Sequence, residues 1–277
     1  MKVIAYQGEP GAYSEMASMK YFSQKNIRLS PSVTFDSVFK KVSSGEAHFG
    51  VVPIENSLYG SVFETYDLLL SYTLSIVGEL NLQIHHYLMA KDKYSVQQIK
   101  KIYSHPQALG QCSRFLSRLK KTEVIPEYDT AGAAKIVSLQ DEPIAAIASQ
   151  NAAEKYNLKV ISGNIQNEKK NFTRFLIISP KKAEAPVKDS KTSICFDLKS
   201  TPGSLFRALS VFALRDIDLT KIESRPKPAK TFQYLFYVDL LGSLKDKKVV
   251  NALNHLKEIS SSVRILGSYA IGKTFQS

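Results

Sequence analysis

The sequence predicts an α/β protein in two parts, a first unit that forms one sheet or, by preference, two small α/β lobes, followed by a C-terminal ferredoxin-like module. Three observations predict it. Up to residue 180, short apolar strands alternate with helical patterns, the order that builds open, largely parallel sheets. A stretch with two prolines and mixed charge, Pro180-Lys181-Lys182-Ala183-Glu184-Ala185-Pro186-Val187-Lys188-Asp189, then interrupts the alternation and reads as an exposed linker. Beyond it the order becomes β-α-β-β-α-β.

The elements follow in order. Residues 3–7 form a strand, then Gly8-Glu9-Pro10-Gly11 leads into a helix from about Ser14. Phe35, Val38, Phe39 and Val42 recur at i, i+3, i+4 and i+7. That is one helical face, with Asp36 as its N-cap and Gly45 as its stop. A buried-type strand at 49–52 ends at Pro53, followed by a helix near 62–70 and strands at 74–80 and 83–90. Consecutive strands around Asn81-Leu82 suggest a crossing between lobes. Lobe one would then hold about residues 1–80 and 165–180, and lobe two about 81–164.

Lobe two continues with a short helix at 96–100, a strand end at Ile102-Tyr103, and a helix at 108–119 with Leu109, Cys112, Leu116 and Leu119 on one face. A helix at 130–139, a strand at 144–148, a helix at 149–156 and a strand at 159–161 follow, and a strand at 174–178 closes the unit. After a linker at 181–191, the module at 192–272 has strands at 192–198, 217–224, 233–241 and 263–269. Its helices carry Leu205, Leu209 and Phe212, and Leu253 and Leu256.

Bulk properties exclude several classes. The chain of 277 residues is 44% hydrophobic and 22% charged, an ordinary soluble composition. Cys112 and Cys195 are too far apart for a metal-type spacing and give no disulfide framework, which fits a reducing compartment. The run Val3-Ile4-Ala5-Tyr6 is too short for a signal-peptide core, and no run approaches the roughly 18 residues of a membrane span. A cytoplasmic location is expected. The net charge is +12, but the lysines fall as scattered pairs such as Lys40-Lys41, Lys120-Lys121 and Lys247-Lys248. They read as a solvated surface with a mild tilt toward small anionic ligands, not as a nucleic-acid footprint.

Open α/β sheets bind ligands at strand ends, where helix N-termini offer free N–H groups to anions. Four segments place polar residues at such junctions. Gly8 to Ser14 has glycines for close backbone approach, without dinucleotide spacing. Pro53-Ile54-Glu55-Asn56-Ser57-Leu58-Tyr59-Gly60 puts an acid, a carboxamide and a hydroxyl in a row, a ligand site or a polar turn. Ser104-His105-Pro106-Gln107 is followed one turn on by Gln111; a lone histidine there caps more often than it titrates. Asn171-Phe172-Thr173-Arg174-Phe175 offers an Arg fork to a carboxylate or is simply a surface strand start. There is no Cys/His nucleophile pair, no Ser-His-Asp spacing and no cluster of metal ligands. An anion-binding unit without metal or cofactor is expected, with its reaction left open.

Taken together, Gly8, Gly11 and Ser14, Pro53 to Gly60, Ser104 to Gln107 with Gln111, and Asn171 to Phe175 resemble the motifs of the prephenate dehydratase family. Pro202-Gly203-Ser204-Leu205 and Glu223-Ser224-Arg225-Pro226 look like the effector motifs of its ACT regulatory domain. The resemblance spans nearly the whole chain. It implies lobes of the periplasmic-binding-protein type with the active site in the cleft, and assembly as a homodimer or homotetramer. It also implies conversion of prephenate to phenylpyruvate, with arogenate as the rival substrate, and feedback inhibition by L-phenylalanine. By the same resemblance Thr173 is catalytic, with Glu55 as the alternative proton source. Gly11, Ser14, Asn56, Ser57, Ser104, Gln111, Thr130, Asn171, Arg174 and Phe175 would hold substrate, with Arg174 and the backbone near Gly11 on carboxylate. Phenylalanine would sit between ACT domains of neighbouring subunits, against Gly203 to Leu205 and Glu223 to Pro226. Two departures stand out: Ala12 precedes Tyr13 where the family often has threonine, and Ser204 replaces the common alanine. A two-lobed solute-binding protein or a non-catalytic amino-acid sensor are the competing classes.

Overall fold

The computed structural model describes residues 1–23, 26–184, 186–227 and 233–277. It divides into two compact units, one of Met1–Tyr72, Leu80–Leu176 and Lys273–Ser277, the other of Thr73–Glu79 and Ile177–Gly272. Unit one begins with β1 (Lys2–Gln7), α1 (Tyr13–Phe22), β2 (Ile27–Ser32), α2 (Phe35–Ser43), β3 (Phe49–Asn56), β4 (Gly60–Ser61) and α3 (Phe63–Ser71), followed by β5 (Ser75–Gln83). The second lobe runs through β6 (Tyr87–Ala90), a 3-10 turn, β7 (Lys101–Ser104), α4 (Pro106–Gln111), α5 (Ser113–Leu116), β8 (Glu123–Pro126), α6 (Thr130–Ser138), β9 (Ile144–Ala148), α7 (Gln150–Lys155) and β10 (Lys159–Ser162). The return strand is β11 (Phe172–Ser179).

The first sheet has the order β16-β5-β11-β3-β1-β2 with β4 on β3, where β16 is Thr274–Gln276. Here β1 runs parallel to β2 and β3. The second sheet, β10-β6-β9-β7-β8, is mixed rather than largely parallel. Its β7 is parallel to β8 and β9, but β6, which brings the chain into the lobe, opposes both its neighbours. Strand β9 is buried along its length and shows the period of two. Ile144, Ala146 and Ala148 face Ala131, Ala134 and Val137 of α6, while Ala145 and Ile147 face Cys112 and Ile165. The alanines let α6 lie close on the sheet.

Several local expectations change for physical reasons. Thr34, not Asp36, caps α2: its side chain accepts from Ser37 N and the two form a reciprocal capping box, which leaves Asp36 to pair with Lys40 at 2.8 Å. Strand β3 continues through Pro53 to Asn56, with β4 pairing at Glu55 and Asn56. β5 passes unbroken through Asn81-Leu82, and the crossing lies at residues 84–86 instead. The helix expected at 108–119 breaks at Cys112 into α4 and α5. Strands β2, β8 and β16 have no clear apolar alternation in sequence.

Unit two contains β12 (Ser190–Asp197), α8 (Ser204–Ala213), β13 (Leu219–Pro226), β14 (Tyr234–Leu241), α9 (Lys247–Ile259) and β15 (Ser262–Ala270). The antiparallel sheet β13-β14-β12-β15 realises the expected βαββαβ order. One face packs on both helices through Ile194, Phe196, Val238, Leu240, Phe212 and Leu253. Elsewhere in this unit Lys191 meets Glu79 at 2.8 Å, both largely buried.

Candidate active site

Unit one encloses a cavity of about 500 Å³ between its lobes. Ser14, Asn56, Thr173 and Phe175 line it from the first lobe, Gln111, Asp129 and Thr130 from the second, and Ile84 and His86 from the crossing.

The loop after β1 brings the lobes together. Gly8 and Gly11 have φ of +110° and +98°, and a Cβ at Gly11 would lie 2.9 Å from Ala152 Cα of the opposite lobe. Only glycine fits that approach. Ser149 Oγ donates to Gly11 O at 2.8 Å, and Glu9 N donates to Asp129 Oδ2 at 2.7 Å. Asp129 also caps α6 by accepting from Ala131 N. Burial pushes its carboxyl above the usual range, opposed by the backbone N–H donors from Glu9 and Ala131. Glu9 further accepts from Tyr128 Oη and pairs with Lys135, both at 3.1 Å.

The centre of the site is built where β3 meets β11. Asn56 Oδ1 accepts from the backbone N–H groups of Leu58 and Tyr59 at 3.0 and 3.1 Å. Its Nδ2 therefore points the other way, donating to Asn171 Oδ1 at 2.9 Å and to Thr173 Oγ1 at 3.0 Å. Asn171 Nδ2 continues to Gln111 Oε1 at 2.9 Å. Since Thr173 Oγ1 accepts from Asn56, its own hydrogen is left to be donated elsewhere.

Six residues expected to hold substrate or act on it line the cavity: Ser14, Asn56, Gln111, Thr130, Thr173 and Phe175. Asn171, fully buried, sits behind them as a bridge. Ser57 ties the start of β11 in place, its N donating to Phe172 O and its Oγ accepting from Phe172 N. Arg174 Nη1 lies 4.0 Å from Glu55 Oε2, and neither residue lines the cavity. Two expected contacts meet groups already engaged. Gly11 N donates to Glu15 Oε2 at 2.6 Å. Ser104 is fully buried, and its hydroxyl donates to Ile147 O at 2.5 Å across the sheet.

His105 is an N-cap, its Nδ1 accepting from Gln107 N at 3.3 Å, while it also lines the cavity. His86, Tyr128 and Asp129 also line the cavity, although no sequence motif marks them, and Tyr13 of the Gly8 to Ser14 segment joins them. The signal for His86 was its place just past the alternating β5, where a histidine continues the buried positions. In unit two, Gly203 caps α8 with φ of +74° and Pro202 is exposed beside it, while Ser204 and Leu205 form the first turn. Glu223, Ser224, Arg225 and Pro226 end β13, with Lys221 Nζ 3.7 Å from Glu223.

Fold and cavity define a two-lobed α/β unit whose cleft gathers carboxamides and hydroxyls, followed by a βαββαβ module. The chain belongs to the prephenate dehydratase family, whose model matches residues 4–183, while the ACT domain model matches residues 192–258. It is 43% identical over 286 residues to arogenate dehydratase/prephenate dehydratase 2, chloroplastic, of Arabidopsis thaliana, covering 98% of this chain and 73% of that protein. Among solved structures, the prephenate dehydratase of Arthrobacter aurescens in complex with L-Phe superposes with a TM-score of 0.89 at 30% identity, over 97% of this chain and 90% of that one. A structure described as GqqA, a novel type of quorum quenching acylase, gives 0.88 at 30% identity over 98% of both chains. Among the described residues no helix is long and apolar enough to cross a membrane.

Proposed function

We propose that the protein is a carbon–oxygen lyase that converts prephenate to phenylpyruvate, carbon dioxide and water. The catalytic domain is residues 1–180 and the regulatory ACT domain residues 192–272. The observation that carries the mechanism is the polarity of the Asn56–Thr173 pair. As the carboxylate carbon–carbon bond breaks, its electrons enter the ring, the ring becomes aromatic and the hydroxyl departs. One proton is taken up to make water. Aromatisation supplies the driving force, so the protein chiefly holds a dianion and helps hydroxide leave.

Thr173 is too weak an acid to supply that proton outright at neutral pH. With Oγ1 accepting from Asn56, its O–H is directed at the departing hydroxyl as a donor. Gln111, Ser14 and Thr130 supply further polar contacts around the ring and its carboxylates. Arg174 sits beside the cavity with Glu55 and sets the field at its edge. L-phenylalanine acts as feedback effector at Pro202 to Leu205 and Glu223 to Pro226 of a homo-oligomer, favouring a less active state by binding it better.

Purified protein given prephenate should form phenylpyruvate, followed by its absorbance in alkali, and phenylalanine should slow the reaction. Arogenate is run alongside. A higher kcat/KM for arogenate would make it the substrate; turnover of neither would end the proposal.

A further inference from the structure

Gln111 is held by more than its place on α4. Its Oε1 receives Asn171 Nδ2 at 2.9 Å and stands 2.5 Å from His86 Nε2. The direction of this chain starts at the backbone. The N–H groups of Leu58 and Tyr59 claim Asn56 Oδ1, so Asn56 donates through Nδ2 to Asn171 Oδ1. Asn171 must then donate to Gln111, and Gln111 must present its carbonyl oxygen. The opposite orientation would set donor against donor in a buried site. By the same reasoning His86 carries its proton on Nε2, because a lone pair there would face the Gln111 oxygen.

The other edge of the ring does not set the tautomer. Tyr13 Oη donates its one hydrogen to His85 O at 2.6 Å and lies 3.0 Å from His86 Nδ1, so the Gln111 edge alone places the ring proton. The His86 backbone N–H donates to Gln166 Oε1 at 3.0 Å, and Tyr13 packs edge-on against the ring, with centroids 5.8 Å apart. His86 is 2% exposed, with Gln111 against Nε2 and Tyr13 against Nδ1. Burial lowers its pKa to about 4, so it is neutral near pH 7. Among the described residues no acceptor takes the Gln111 Nε2 hydrogens.

We propose that His86 is a positioning residue: its Nε2–H fixes the Gln111 carboxamide so that the Gln111 N–H2 faces the cavity as donor to a substrate carboxylate. The identity of that substrate rests on the dehydratase reading above; the hydrogen-bond polarity does not. A histidine that merely filled space would leave Gln111 free to turn and would be indifferent to its tautomer.

Two measurements on the full chain decide it. Nitrogen NMR of ring-labelled protein near neutral pH should show the proton on Nε2 and none on Nδ1; the reverse tautomer overturns the proposal. With prephenate as the probe, His86→Leu should raise KM by about ten- to a hundredfold, the worth of a donor to a charged group, with kcat within about threefold. His86→Gln can place an N–H near the position of Nε2 and should hold KM within about threefold of the parent. In a Gln111→Leu background, His86→Leu should add less than about twofold to KM. Equal losses in the Leu and Gln variants, or independent losses in the double variant, overturn the proposal. If His86→Leu does not fold, the tautomer and His86→Gln still decide. A parent protein that turns over no prephenate counts against the dehydratase reading alone, since the ring tautomer is read without substrate.

Discussion

Asn56 Nδ2 lies 3.0 Å from Thr173 Oγ1 across 117 positions of sequence, and two backbone N–H groups on Asn56 Oδ1 determine which of the two is the donor. Thr173 is thereby left with its hydrogen to give. Replacing Asn56 with aspartate keeps an acceptor for Leu58 and Tyr59 but turns a second acceptor toward Thr173, which then donates back into the protein. Asn56→Asp and Thr173→Val should each lower kcat by about a hundredfold or more, the range for losing a transition-state donor, with KM changed far less. Steady-state kinetics on prephenate checks both.

The buried imidazole of His86 makes stability depend on pH. Its pKa falls from 6.5 to about 4, chiefly through burial, with the Gln111 hydrogen bond opposing and nearby His85 adding slightly. Between those values the unfolded chain binds more protons than the folded one, so stability falls as pH falls through that window. The slope is about 1.4 kcal/mol per pH unit for one site. Urea unfolding at several pH values should show this slope in the parent and its loss in His86→Gln.

In unit two, Lys191 Nζ and Glu79 Oε1 pair at 2.8 Å with side chains only 10% and 2% exposed. Gly272 N also donates to that carboxylate at 3.2 Å. Lys191→Met leaves the carboxylate buried without its cation and should destabilise by roughly 3–5 kcal/mol. Adding Glu79→Gln to Lys191→Met should recover part of the loss, because the remaining group is neutral. Denaturant midpoints compare the three proteins.

Gly11→Ala would place a methyl 2.9 Å from Ala152 Cα in a backbone with φ of +98°. Neither the main chain of α7 nor the loop can yield cheaply. Loss of about 1–3 kcal/mol is expected from the backbone conformation alone, read as a lower unfolding midpoint.

Calorimetric titration with L-phenylalanine should give saturable binding. Gly203→Val, which puts a branched side chain on a residue with φ of +74° at the start of α8, should weaken it by about tenfold or more. Unchanged affinity in that variant would place the effector elsewhere.

What was readable in the sequence follows from local periodicity. The face formed by Val38, Phe39 and Val42, the buried run of β9 and the βαββαβ order are short-range patterns with a direct structural meaning. Edge strands such as β8 and β16 carry no such pattern, because they are held mainly by backbone pairing with a neighbour distant in sequence. The apolar pattern over 108–119 outruns the helix it marks for the opposite reason. Its apolar spacing persists through Cys112, while the chain turns there to bring Asn167 against Gly110 and Ser113.

The sequence by itself determined the fold class and which segments carry polar strand ends, since strand periods and helix caps are set within a few residues. Tertiary structure alone decided which polar groups face the cavity and which are consumed by the protein. Ser104 and the Gly11 N–H are spent on Ile147 and Glu15, whereas His86, absent from any motif, closes a chain begun at Leu58 and Tyr59. A hydrogen bond has a direction, and that direction is set by partners that only folding brings within reach.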